Sequence, residues 1–145
     1  MGDSSKKKPT SHEVGRVLVV DDEAHMRATL EAILSQEFKV ECAEGVAEAL
    51  TLLGTRPFDV VVADYELRDG TGSSLLTEVA ARHPDVTSII VTGNASVPEV
   101  KRVQHEGRTL VIWKPVNPAD LIGWVRNAVA IARLQQVLAA LRRKS

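Results

Sequence analysis

This sequence predicts an α/β fold, a doubly wound parallel sheet of five strands with an extended C-terminal helix, on three observations. Short β-branched runs, Val17-Leu18-Val19-Val20 and Val60-Val61-Val62-Ala63 foremost, lack polar alternation and read as strands buried on both faces. They alternate along the chain with stretches whose apolar residues recur at helical spacing. Polar residues collect where the strands stop. At 145 residues, 44% of them hydrophobic, the chain is one domain of ordinary size with room for a real core.

Taken in order, residues 1 to 15 are polar, with Pro9 and three consecutive lysines, and read as a flexible leader. A first strand covers 16 to 20. The segment 24 to 37 sets Met26, Leu30, Ile33 and Leu34 on one helical face. A second strand covers 39 to 42. Val46, Ala49, Leu50 and Leu53 mark a second helix, which Gly54 is expected to close in a left-handed conformation. The third strand, 60 to 63, ends at Asp64, and a loop with Asp69-Gly70 and Gly72 as turn residues leads to a third helix over 73 to 82, ended by Pro84. A fourth strand covers 87 to 91. Ser96 and Glu99 have the spacing of a capping box and announce a fourth helix. A fifth strand, 109 to 113, runs into Lys114-Pro115. Asn117-Pro118 with Asp120 starts the last helix, and no stop signal occurs before Lys144.

Charge and composition exclude several classes. Both termini are basic while the body between them is acidic, which argues against nucleic-acid binding through this domain. A single cysteine, Cys42, excludes an internal disulfide, and its apolar surroundings suggest a small buried side chain. No run is long enough for a membrane span or has the form of a signal peptide, so a cytoplasmic protein is expected.

Asp21 and Asp22 end the first strand, Asp64 the third, Thr92 the fourth and Lys114 the fifth, all at the carboxyl edge, where open α/β sheets bind ligands. The second strand ends Cys42-Ala43-Glu44 and contributes nothing comparable. Placing it at the sheet edge gives the strand order 2-1-3-4-5. Acids crowded in a partly desolvated cleft repel one another, and a hard divalent cation with oxygen ligands relieves that. A strand-ending Asp or Lys is by itself most often a solvated surface residue. The joint placement of five such residues reverses that weighting.

With Val-Val-Asp21-Asp22-Glu, Asp64 followed by Asp69-Gly70-Thr71-Gly72, Thr92-Gly93 and Lys114-Pro115 in order, the chain resembles the receiver domain of two-component response regulators, chemotaxis-type and flavodoxin-like, over 16 to 132. Residues 133 to 145 form a helical extension. The resemblance implies that Asp64 accepts a phosphoryl group from a sensor histidine kinase or phosphotransfer protein. It implies that Asp21, Asp22, Asp64 and the backbone carbonyl of Glu66 hold Mg²⁺, and that Thr92 and Lys114 contact the phosphoryl oxygens. The expected protein is a signalling phosphoacceptor, not an enzyme with a separate substrate, whose output is protein contact or an effector domain outside this chain. Lys114 is expected to stand without a partner until the phosphoryl group arrives.

Four positions depart from the family pattern. Glu66 places an extra carboxylate at the cleft mouth, Arg68 stands where Pro is frequent, and Val111 replaces the usual Tyr or Phe. Trp113 falls on the same strand face as Val111 and reads as a packed strand aromatic. Val111 keeps open an alternative, a degenerate receiver that binds partners without phosphorylation. Asp64-Tyr65-Glu66 loosely resembles the paired acids of haloacid-dehalogenase-type phosphatases, but there the nucleophile belongs on the first strand with an Asp two residues on. Finally, Ile131, Leu134, Leu138 and Leu141 form an apolar stripe beyond the reach of the sheet, which suggests a homodimer or a relay to a partner.

Overall fold

The computed structural model of the chain describes residues 14–93 and 109–144. Within them the elements run β1 (Arg16–Val20), α1 (Ala24–Leu34), β2 (Lys39–Ala43), α2 (Val46–Thr55), β3 (Val60–Asp64), β4 (Glu66–Leu67), β5 (Gly70–Thr71), α3 (Gly72–Arg82), β6 (Thr87–Thr92), β7 (Thr109–Trp113) and α4 (Pro118–Lys144). Residues 1–13 of the leader and the capping box at Ser96 lie outside the described residues, whereas the carbonyls of Val14 and Gly15 accept from Arg133 and Lys39.

All five long strands pair in parallel, in the order β2-β1-β3-β6-β7. Counting those strands alone, this is the expected 2-1-3-4-5, with β3 at the centre. Strand periodicity then divides the core in two. Leu18, Val20, Val61, Ala63, Ile90 and Val111 bury against α2 and α3 on one face. Val17, Val19, Val60, Val62, Ile89 and Ile112 bury against α1 and α4 on the other. Both faces of β1 and β3 are therefore dry, which is why these strands show no polar alternation.

Local signals set most helix ends. Asn117 Oδ1 accepts from the amide of Asp120 at 3.0 Å, capping α4 as expected. Glu23 caps α1 by accepting from Met26 N at 2.9 Å, and α1 stops at Leu34, earlier than the sequence pattern suggested. Thr71 and Ser74 close a reciprocal capping box on α3.

Gly54 behaves differently from expectation. It lies inside α2, and among the described residues Gly70 is the one position with positive φ. The helix ends at Arg56, which is extended, because Pro57 disfavours helical backbone in the residue before it. A second departure is the antiparallel pair β4–β5, which joins Glu66 to Thr71 and Leu67 to Gly70 where only a loop was expected.

Two aspartate and glutamate contacts position α4 across the sheet. The Arg126 guanidinium makes two bonds to Glu37, at 2.7 and 2.6 Å. Further along, Arg133 and Gln136 reach Asp59. On a different side of α4, Leu134, Leu138 and Leu141 are exposed, as the stripe predicted.

Candidate functional site

The carboxyl edge of the sheet gathers the expected residues. Asp64 is the last residue of β3, and its side chain is mostly covered, at 11% exposure. Its Oδ1 accepts from the Glu66 amide at 3.1 Å, and its Oδ2 receives the Lys114 ammonium at 3.1 Å. Lys114 is thus already paired, contrary to expectation. Parallel pairing of β6 with β7 sets Thr92 beside Trp113, and Lys114 N donates to the Thr92 carbonyl at 2.8 Å. That geometry brings the lysine over the end of β3, two strands away.

Asp21 is buried, with Oδ1 accepting from Glu23 N at 2.9 Å. Burial pushes its carboxyl up to about 6; the Glu23 amide and the Lys114 charge hold it back, while the charges of Asp64 and Asp22 add to the push. Asp22 is more open, and its Oδ2 lies 3.7 Å from Arg68 Nε, whose own side chain is largely exposed. Thr92 is buried and Glu66 exposed at the cleft mouth.

The three aspartates therefore meet at one edge, but two of them face the protein's own cations. Among the described residues no group of three or more carboxylate, imidazole or thiol side chains is arranged to hold a metal ion. The donor chemistry nevertheless fits a hard cation: every candidate ligand is an oxygen, and the charges of Asp64 and Asp22 add to the burial that raises the Asp21 carboxyl.

Two residues of the loop after β3 have roles that sequence reading missed. By sequence Asp69 is a turn residue. Its carboxylate instead caps α2, accepting from Val46 N at 2.8 Å and Ala47 N at 3.0 Å, and these two bonds hold its carboxyl below the usual range. Gly45, the residue before α2, leaves the room, since a Cβ there would stand 2.5 Å from Asp69 Oδ1. Gly72 is a matter of contact rather than turn geometry: a Cβ on it would lie 2.6 Å from the Asp64 carbonyl oxygen. Its amide donates to Tyr65 O at 2.7 Å, folding the loop tightly onto the end of β3. A glycine eight residues after a strand-ending aspartate was the available signal.

Val111 is buried as a core residue, whereas Trp113 at the strand end is 38% exposed and not a packed aromatic. Cys42 is half-buried, and burial, with the Glu31 charge adding to it, pushes its thiol up to about 11, which disfavours the thiolate. Among the described residues no helix is long and apolar enough to cross a membrane.

The sequence signature of the response regulator receiver domain matches residues 17–126. This chain belongs to the response regulator receiver family. It is 34% identical over 126 residues to the hydrogenase transcriptional regulatory protein HoxA of Cupriavidus necator, covering 86% of this chain and 26% of HoxA. Against the response regulator protein PilR of Pseudomonas aeruginosa it is 32% identical, covering 81% of this chain and 26% of PilR. The chain thus spans about a quarter of these relatives' length. Among solved structures, a CheY-like receiver domain protein from Methanospirillum hungatei superimposes with a TM-score of 0.78 at 28% identity, covering 84% of this chain and 98% of that one. The receiver domain is a signalling module of two-component systems and a different family from the haloacid-dehalogenase-type phosphatases.

Proposed function

We propose that Asp64 of this receiver domain is the phosphoacceptor, taking its phosphoryl group from the phosphohistidine of a sensor kinase or phosphotransfer protein. An Asp64 carboxylate oxygen attacks phosphorus, the phosphorus–nitrogen bond breaks with its electron pair leaving on the imidazole, and an acyl phosphate results. The observation that carries this reading is the convergence of Asp64 with Lys114 and buried Asp21 at the end of the central strand. Such a transfer needs positioning and charge stabilisation more than covalent help. The Lys114 ammonium would follow the incoming phosphoryl oxygens, and the Thr92 hydroxyl would donate to another. Asp21, Asp22, Asp64 and the Glu66 carbonyl would hold Mg²⁺, which supplies further positive charge to those oxygens. Asp22 would have to leave Arg68 to do so.

Mass spectrometry after incubation with phosphoramidate and Mg²⁺ tests the assignment. The wild type gains one phosphoryl mass and Asp64→Asn none. Equal labelling of the two would refute it.

Val111 favours a second reading for output. With no aromatic at 111 to follow Thr92, the switch would pass through other parts of the face, and a receiver acting as a phosphorylation-independent interaction module becomes the competing case. Binding of a partner with equal affinity to the phosphorylated wild type and to Asp64→Asn would select it. Output would go to an effector domain or a protein partner. A second copy docking on α4 is the reading favoured by the 3-4-3 spacing of Ile131, Leu134, Leu138 and Leu141, all exposed. In sedimentation, a dimer that becomes monomeric in Leu138→Glu is the expected result.

A further inference from the structure

Asp59 stands just before β3, at the end of the sheet opposite Asp64, and it is buried. A carboxylate removed from water is costly unless its oxygens are bonded. Here both are. Arg16 N donates to Oδ2 at 2.9 Å, Arg133 Nε to Oδ1 at 3.0 Å, Arg133 Nη2 to Oδ2 at 3.1 Å and Gln136 Nε2 to Oδ1 at 3.0 Å. Arg133 Nη2 also donates to the Val14 carbonyl at 3.0 Å. Burial works against the Asp59 charge, but the Arg133, Arg16 and Gln136 bonds outweigh it and hold the carboxyl below its usual range.

Three of the four bonds to Asp59 come from α4 past residue 126, where the family signature stops. Arg133 and Gln136 are one turn apart and share a helix face. Leu134, Leu138 and Leu141 lie on a different side of the same helix and are exposed. A helix end without tertiary contacts frays, since short isolated helices are marginal in water.

We propose that Asp59, Arg133 and Gln136 form a latch that fixes the direction of the C-terminal arm, so that α4 beyond the sheet moves as one body with β1 and β3. The arm is then a lever rather than a tether. Anything joined to it, or docked on its exposed apolar side, takes its orientation from the sheet. The Arg133 fork is the working part, because Nε and Nη2 hold the two Asp59 oxygens side by side while Nη2 also reaches the Val14 carbonyl, and a lysine ammonium has no planar fork to reproduce that two-nitrogen grip.

The latch is tested by pulsed electron paramagnetic resonance on the full chain carrying Cys42→Ser, with spin labels on Ala28→Cys in α1 and Arg143→Cys near the end of α4. The latched protein gives a single narrow distance distribution. Arg133→Ala broadens it at least twofold, and Gln136→Ala broadens it less. Should Arg133→Ala fail to fold because Asp59 is left buried and unpaired, Arg133→Lys decides. It keeps the charge beside Asp59 and loses the fork, and its distribution is broader than that of the latched protein. A broad distribution with the latch intact, or one as narrow in the folded Arg133 variant as with the latch, overturns the proposal. The measurement reads geometry without phosphorylation, so it stands or falls separately from the role of Asp64.

Discussion

The Lys114 ammonium lies 3.1 Å from Asp64 Oδ2 across 50 positions of sequence, which makes this lysine the counter-ion of the acid cleft before any phosphoryl group is present. A divalent cation entering the cleft must compete with it. Lys114→Ala should therefore bind Mg²⁺ more tightly, by about fivefold, the equivalent of the ~1 kcal/mol that a partly exposed pair is worth. The same variant should lose the Trp113 fluorescence change on adding beryllofluoride. Titration calorimetry reads the first effect, and an unchanged affinity would mean that the pair does not restrain the cleft.

Burial raises the Asp21 carboxyl to about 6, so near that pH the folded protein carries a proton there that the unfolded chain does not. An acid raised on folding contributes a penalty that grows as pH rises from the ordinary value toward the raised one, and then levels off. Without divalent cations, the stability of Asp21→Asn relative to the wild type should increase between about pH 4 and pH 6 and be flat above. Mg²⁺ affinity of the wild type should fall below about pH 6, by as much as about tenfold per unit, because a ligating carboxylate must first lose its proton. Urea titrations and calorimetry across this range check both signs.

Gly72 and Gly54 should respond to alanine in opposite directions. A Cβ at 72 collides with the Asp64 carbonyl oxygen, while one at 54 meets nothing within 4 Å and lies inside α2. Gly72→Ala should destabilise by about 1–3 kcal/mol through forced backbone movement. Gly54→Ala should stabilise by about 0.5–1 kcal/mol through helix propensity. Equilibrium urea unfolding separates the two.

The Asp69 carboxylate caps α2 across more than twenty residues. Replacing it with alanine leaves the amides of Val46 and Ala47 without that acceptor. Hydrogen exchange at these two amides should accelerate in Asp69→Ala while the amides of β1 are unchanged. Equal protection in both proteins would show that the cap is dispensable.

Much of the fold was legible because its signals are local. Asn117-Pro118 announced α4 by a cap, the Asn117 side-chain oxygen that accepts from the Asp120 amide. The unbroken apolar runs at 17 to 20 and 60 to 63 announced strands covered on both faces. Strand order followed from asking which strand ends carried polar residues. Gly54 was misread for a related reason: a glycine near the end of a helical pattern suggests a left-handed stop, but Pro57 acts on Arg56 and ends the helix later.

By itself the sequence determined the alternation of strand and helix, the strand order and the edge at which Asp21, Asp22, Asp64, Thr92 and Lys114 meet. Periodicity, caps and strand ends are properties of neighbouring residues, and parallel pairing carries strand ends to one edge. Only the tertiary structure decided which charge answers which. Asp64 with Lys114, Asp22 with Arg68, Asp69 with the start of α2 and Asp59 with Arg133 are separated by as many as 74 positions. A charged side chain finds its partner through the docking of whole elements, and nothing in its local sequence records where that docking will place it.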